Sequence, residues 1–201
     1  MLIITGCGHS GTLFVATLFH IPHEPPKRGL QVNDYSAYLK AWQDKGFARQ
    51  WVKENIMGIE MESNSFLVPF AEAILEEFPN CNIFHLVRDP KKVIRSLLSN
   101  GLYIDQADYH NIKLFDKSPN GEKWEALTPF QKTCWYWRVI NEKLRKLGCP
   151  LIKLEELRGQ PLHQKIHRVP PYQEWLKEQK DYFNKVVYPE ARFYGYEKIK
   201  T

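Results

Sequence analysis

The stretch "LIITGCGHSGTLFVATLF" at residues 2–19 decides how the rest of the chain is read. An apolar, strand-like run (2–5) meets a turn holding Gly6, Gly8 and Gly11, and Thr12 opens a run with helical character. In a strand, glycine turn and helix of this kind, backbone N–H groups and the positive end of a helix dipole converge on an anion. The glycines allow close approach, and the hydroxyls of Ser10 and Thr12 add donors. A nucleotide-hydrolysing P-loop carries a lysine just before its Ser/Thr, but here Gly11 stands in that place. The stretch predicts a phosphate-type cradle without its usual cation. A tight turn that binds nothing is the plainer alternative.

A chain of 201 residues suffices for a single domain, 1–201, that buries about 70% of its unfolded surface. A hydrophobic content of 43% with 25% charged residues is that of an ordinary globular protein and excludes a disordered one. The net charge of +5 suits anionic small ligands. Basic residues cluster only in "KRGL" (27–30) and "DPKKVIRS" (89–96), so no nucleic-acid-binding face is expected. Cys7, Cys81, Cys134 and Cys149 are scattered without a CxxC pair, which predicts reduced, mostly buried thiols. Met1 is followed at once by the first strand, leaving no room for a cleaved signal peptide, and no apolar run approaches the ~20 residues of a membrane span. The expectation is a cytoplasmic protein.

Along the chain, β-rich runs alternate with helical patterns. Strands are expected at 2–5, 57–62, 82–88 and 150–154, and helices at 12–20, within 34–54, at 66–78, from Pro90 to about Asn100, at 128–147 and at 172–187. Asp89-Pro90 is a helix start, with Asp as the cap and Pro at the first helical position. The fold class is therefore α/β, a three-layer arrangement with a mostly parallel central sheet flanked by helices, in which ligands bind at the carboxyl ends of the strands. Residues 102–127 are too long for a mere connector and are a candidate substrate loop.

Two further constellations carry chemistry. Arg88 closes the third strand, and Ser96, two helical turns on, can share an anion with it; Arg–phosphate forks are strong and geometrically specific. In "GIEMES" (58–63), period-two alternation puts Glu60 and Glu62 on one face. A buried carboxylate there is costly unless paired or functional, so either is a candidate general base, or else a structural partner of Arg88 or a lysine. His20-x-x-His23 with Cys7 and His9 is a poor metal-ligand set, and no metal is expected.

In this order, these pieces resemble the sulfotransferases that use 3′-phosphoadenosine 5′-phosphosulfate (PAPS). The family's 5′-phosphosulfate loop reads (K/R)-S-G-T-(S/T); here His9-Ser10-Gly11-Thr12-Leu13 stands in its place. The family's R-D-P-x-x-V-x-S motif is similar to Arg88-Asp89-Pro90-Lys91-Lys92-Val93-Ile94-Arg95-Ser96, where the serine stands one place later, at Ser96. Spacing back from Phe78-Pro79 puts Glu62 at the Glu of the family's G-E-K-(S/T)-P segment. "WYWRVINEKLRKLGCPLIKLEEL" (135–157) and "FYGYE" (193–197) are similar to its W-x-x-x-N helix, its E-(D/E)-L segment and its closing G-Y, so the resemblance spans nearly the whole chain.

The resemblance implies a P-loop NTPase-like sulfotransferase fold and the transfer of a sulfonate group from PAPS to a hydroxyl or amine of a small-molecule or glycan acceptor, leaving adenosine 3′,5′-bisphosphate. By it, Gly8, His9, Ser10, Gly11, Thr12 and Leu13 hold the 5′ side, Arg88 and Ser96 hold the 3′-phosphate, and Glu62 is the base. Sulfonate carries less charge than a phosphoryl group in transit, so no metal is required. The chain departs from the family at His9, which replaces the loop cation and is a candidate catalytic residue because an anionic ligand favours its imidazolium, and at Ser63 and Ser65, which replace the lysine and proline after the Glu. Lys27 or Arg28 can supply charge from the proline-rich loop. Residues 21–56 and 101–127, with Tyr35, Tyr38, Trp42, Tyr103, Tyr109 and Trp124, are expected to shape the acceptor pocket. The alternatives are a Mg-ATP kinase or NTPase with Asp89 on the metal, and a nucleotide-binding relative without transfer activity.

Overall fold

The apolar run after Met1 forms β1 (Leu2–Gly6), whose last four residues are all buried. In the computed structural model, which describes residues 1–24, 36–104, 112–157 and 172–200, three further strands lie parallel to it. These are β2 (Met61–Ser63), β3 (Asn82–Val87) and β4 (Leu151–Lys153). Their order is β2-β1-β3-β4, with Ile3 opposite Glu62, Gly6 opposite Leu86 and Val87 opposite Lys153. Helices flank this all-parallel sheet. The protein is thus an α/β fold of the three-layer kind that strand–helix alternation predicts.

The described residues gather into two compact units: Met1–Val87 with Lys143–Leu157, and Arg88–Glu142 with the described part of Arg158–Thr201. The first unit holds the sheet, α1 (Thr12–Phe19), α2 (Ser36–Gln43), α3 (Lys45–Asn55) and α4 (Ala71–Glu77). Ile4, Val15, Leu86 and Leu154 form one buried cluster, so α1 covers the sheet face to which Ile4 points. Burying each such side chain contributes about 1.5–3 kcal/mol. Trp51 of α3 lies 4.2 Å from the Phe70 ring and Tyr38 of α2 meets Phe66 edge-on at 5.7 Å, which joins these helices to residues 65–70.

The second unit contains α5 (Pro90–Ser99), residues 129–142 of α6 (Pro129–Lys146), α7 (Lys177–Val186) and α8 (Tyr188–Ala191). Trp137 is fully buried, Asn141 donates to its carbonyl at 2.6 Å, and the Tyr194 hydroxyl donates to Glu190 at 2.6 Å with the Asn141 carbonyl 3.1 Å away. The W-x-x-x-N segment thus serves the core of this unit. Trp124 is buried between Phe115 and Tyr103, which makes it and Tyr103 packing residues rather than open platforms.

Several sequence expectations are corrected. The helix expected at 66–78 is a 3-10 turn (Ser65–Phe70) followed by α4, because Pro69 lacks the N–H that a continuous α-helix needs. The strand expected at 57–62 begins only at Met61, after a turn at Gly58 (φ 84°), so Glu60 precedes the strand and is exposed. The helix expected at 172–187 begins at Lys177, behind a separate 3-10 turn (Tyr172–Glu174). Within 102–127 the described residues hold a 3-10 turn (Trp124–Ala126) and an antiparallel bridge between Lys117 and Lys123. Lys27, Arg28, Tyr35 and Tyr109 lie outside the described residues. No helix among the described residues is long and apolar enough to cross a membrane.

All four cysteines are free. Burial pushes the Cys7 and Cys134 thiols well above their ordinary range, raises Cys81, and moves Cys149 up to about 11. The thiolate is the reactive form, so at pH 8 only about one Cys149 in a thousand is reactive. Alkylation of the native protein at pH 8 is expected to be slow at every cysteine, with all four reacting promptly in denaturant. Fast labelling of any of them in native buffer would contradict the packing.

Candidate functional site

The turn after β1 is shaped by what has no room for a side chain. A Cβ on Gly6 would stand 2.1 Å from the Leu86 carbonyl oxygen, so only glycine lets the two strands keep their register to the end of β1. A Cβ on Gly11 would meet Leu154 at 2.7 Å, and its φ of 105° is one that L residues rarely adopt. His9 also has a positive φ, 63°, whereas Ser10 between them does not. Alternation of this kind turns successive N–H groups towards one side, the geometry of an anion-binding nest. A non-glycine residue held at positive φ is strained, and such residues gather where ligands bind.

The nest leads into α1, whose N-cap is Gly11 with no side chain closing the cap and no acidic residue in the first turn. The positive end of the helix dipole is therefore uncompensated by its own helix. Ser10 is fully buried, and among the described residues its Oγ has no hydrogen-bond partner. That hydroxyl lies over the bend, 3.0 Å from where a Gly6 Cβ would be. An orphaned buried hydroxyl is costly, and a bound oxyanion beside it removes the cost. Thr12 is 6% exposed, with Oγ1 3.2 Å from the Nε2 of His23. Leu13 is 62% exposed, so beyond its backbone it adds no side chain to this bend.

Glu62 is in the same unit, opposite Ile3 and therefore three residues short of the end of β1. It is 1% exposed, and its Oε1 accepts from the Asn64 side-chain amide at 2.6 Å. Ser63, its strand neighbour, donates from Oγ to the Thr12 carbonyl at 2.9 Å on the α1 side of the sheet. Alternation along the strand then places Glu62 on the opposite face, with Ile3. The structure separates the two carboxylates that the sequence left as equivalents: Glu62 is buried and Glu60 is not.

In the second unit, Arg88 directly precedes the Asp89 cap of α5. The Asp89 Oδ1 accepts from the Lys91 N–H at 2.9 Å, as the Asp-Pro pair predicts. Ser96 is 5% exposed on that helix, and its carbonyl accepts from Ser99 Oγ at 2.9 Å.

The first unit also has a surface cleft of about 230 Å³ lined by Trp42, Lys45, Arg49, Glu72, Glu76 and Lys143. Its charges are matched: Lys45 bonds Glu72 at 2.8 Å and holds that carboxyl below its usual range, and Arg49 pairs with Glu76. Burial lowers Lys143, which stands 5.4 Å over the Trp42 ring. Matched charges exert little net pull on an anion, whereas the bend at Gly6–Gly11 offers donors with no counter-charge in the first turn of α1. Among the described residues no three His, Cys, Asp or Glu side chains are grouped to hold a metal ion.

Sequence reasoning weighed His23 only as a member of a poor metal-ligand set and gave it no part in the anion loop. Its signal is only tertiary, since nothing in the local pattern says that Pro22 and Glu24 pair with Ser63. Neither a protein-family model nor a curated protein sequence matches the chain.

Replacing Gly6 by Ala is expected to lower the thermal midpoint by about 5–10 °C, as overpacking of about 2–3 kcal/mol does in a chain of this size. Gly46→Ala, whose Cβ would meet only Asp44 Oδ1 at 3.3 Å, is the control and is expected to leave the midpoint within about 2 °C. Equal midpoints followed by circular dichroism would contradict the close approach.

Proposed function

We propose that the protein is a sulfotransferase that takes its sulfonate group from PAPS. The observation that carries this reading is the buried, unpartnered Ser10 hydroxyl in a glycine-shaped nest at the uncapped start of α1. A nest of this shape suits a tetrahedral oxyanion, and the resemblance in Arg88–Ser96 and at Glu62 narrows that anion to a phosphoadenosine phosphosulfate. When bound, that group supplies an activated sulfonate whose transfer leaves a bisphosphate.

The chain's own part in such a reaction is to hold charge and move one proton. The N–H groups of Gly8, His9, Gly11, Thr12 and Leu13 and the Ser10 and Thr12 hydroxyls would stabilise the negative charge that grows on the departing phosphate oxygen, the usual source of the largest catalytic effect. Glu62 rather than Glu60 is the candidate base: its carboxylate is withdrawn from solvent and fixed by Asn64. It would take the acceptor's hydroxyl proton as the acceptor oxygen attacks sulfur. Arg88 and Ser96 are assigned to the 3′-phosphate by the resemblance alone. The acceptor is a small molecule or glycan bearing a hydroxyl or amine.

A Mg-ATP enzyme would need Asp89 on the metal, but Asp89 Oδ1 already caps α5. A relative that binds the nucleotide without transferring sulfonate differs from the proposed enzyme only in turnover.

Calorimetric titration with adenosine 3′,5′-bisphosphate is expected to give saturable, Mg²⁺-independent binding that weakens at least tenfold in Arg88→Ala, the loss of one charge-assisted fork. Absence of binding, or binding unaffected by Arg88→Ala, would overturn the reading. Glu62→Gln is expected to keep bisphosphate affinity within about threefold and to lower transfer to a hydroxyl acceptor by about 100-fold or more. Unchanged turnover would remove Glu62 as the base.

A further inference from the structure

His23 has no part in the proposed reaction, yet its Nε2 stands 3.2 Å from the Thr12 hydroxyl. The segment that carries it is stapled to β2. The Ser63 N–H donates to the Pro22 carbonyl at 2.9 Å and the Glu24 N–H donates to the Ser63 carbonyl at 3.2 Å, so His23 bridges Ser63 in the parallel sense. Glu24 then leaves at a φ of 43°, and its Oε1 accepts from the Ser65 N–H at 3.3 Å and from Ser65 Oγ at 2.7 Å. From the other side, Ser63 Oγ ties the Thr12 carbonyl. Ser63 and Ser65, where the chain departs from the family's lysine and proline, are thus the residues that hold 22–24 beside the loop.

Glu24 also fixes the direction of the His23–Thr12 hydrogen bond. The same Nε2 that faces Thr12 stands 3.6 Å from Glu24 Oε1. A carboxylate only accepts; a lone pair on Nε2 would be repelled by it, whereas an N–H is attracted. Nε2 therefore carries hydrogen, and Thr12 Oγ1 accepts. A neutral ring with hydrogen on Nε2 and an imidazolium do this equally well, so no charge on His23 is required.

We infer that His23 is a positioning residue for the anion cradle: by donating to Thr12 Oγ1 it leaves the threonine's own hydrogen for an incoming phosphate or sulfate oxygen. The identity of the ligand rests on the proposed function; the direction of the hydroxyl does not.

The test titrates wild type, His23→Ala, His23→Gln, Thr12→Val and the His23→Ala/Thr12→Val double variant with inorganic pyrophosphate and, separately, with adenosine 3′,5′-bisphosphate. Loss of the Thr12 donor to a charged ligand is expected to weaken pyrophosphate binding about tenfold in Thr12→Val, and loss of its orientation to weaken it about threefold in His23→Ala. His23→Gln, which keeps an amide donor, is expected to recover most of it. The double variant is expected to bind no more weakly than Thr12→Val alone, because His23 acts through Thr12. Unchanged affinity in His23→Ala, or effects that multiply in the double variant, would overturn the inference. Wild type that binds pyrophosphate but not the bisphosphate would overturn the proposed function and leave the inference standing; wild type that binds neither overturns both. Long-range proton–nitrogen spectra of the His23 ring are expected to show hydrogen on Nε2, in the free protein and in His-containing Thr12→Val alike; a ring protonated only on Nδ1 would refute the assigned direction whatever binds.

Discussion

At the end of β1, the Gly6 backbone passes so close to the Leu86 carbonyl that a methyl group would stand 2.1 Å from it. Because nothing projects there, β1 and β3 stay paired up to Gly6 and Leu86. The chain then turns tightly, with the Ser10 N–H donating to the Cys7 carbonyl at 2.9 Å. Ser10 folds back over Gly6, Gly11 rests on Leu154, and α1 starts with its N–H groups facing the bend. The proposed anion cradle is thus built on the sheet rather than on a free loop, which keeps its donors aligned before any ligand arrives.

How far such a site can be read from sequence depends on the range of the forces that make it. β1 and β3 are continuous apolar runs, and the Asp89-Pro90 start of α5 is decided by neighbours in sequence; all three stand within a residue or two of where pattern places them. The loop was legible for the same reason, since glycines, a small hydroxyl residue and a helix start adjoin. β2 was displaced because pairing with β1, not alternation, decides where it begins: the Leu2 N–H finds the Glu60 carbonyl at 2.8 Å, and only then does the ladder run. Pro69 divided an otherwise convincing helix through one missing donor. The buried state of Glu62 against the exposure of Glu60 followed from that displacement, and the approach of His23 to Thr12 from a strand-edge bridge with no local signature.

Two of the residues that differ from the sulfotransferase pattern tie the loop and the segment at 22–24 to β2 and its end. In place of a lysine ahead of the loop and another after the Glu, the chain has His9 at a strained positive φ, and Ser63 and Ser65 bonded to Thr12 and Glu24. A lysine offers a compact, strongly hydrated charge, whereas Ser63 and Ser65 hold in place the loop backbone and the segment that faces it. Preorganised dipoles in a buried site can stabilise an oxyanion without a full counter-charge, because they need not reorganise when charge develops. The consequence is a cradle that depends more on geometry than on net charge.

The central claim is that residues 8–13 receive the anionic end of a phosphoadenosine nucleotide. Backbone proton–nitrogen spectra recorded during titration with adenosine 3′,5′-bisphosphate test it most directly. The account predicts saturable downfield shifts in the amides of Gly8, Gly11 and Thr12, as N–H groups that donate to an oxyanion show, whereas the Ser10 N–H stays on the Cys7 carbonyl. Saturable binding that leaves those three amides unmoved would contradict it.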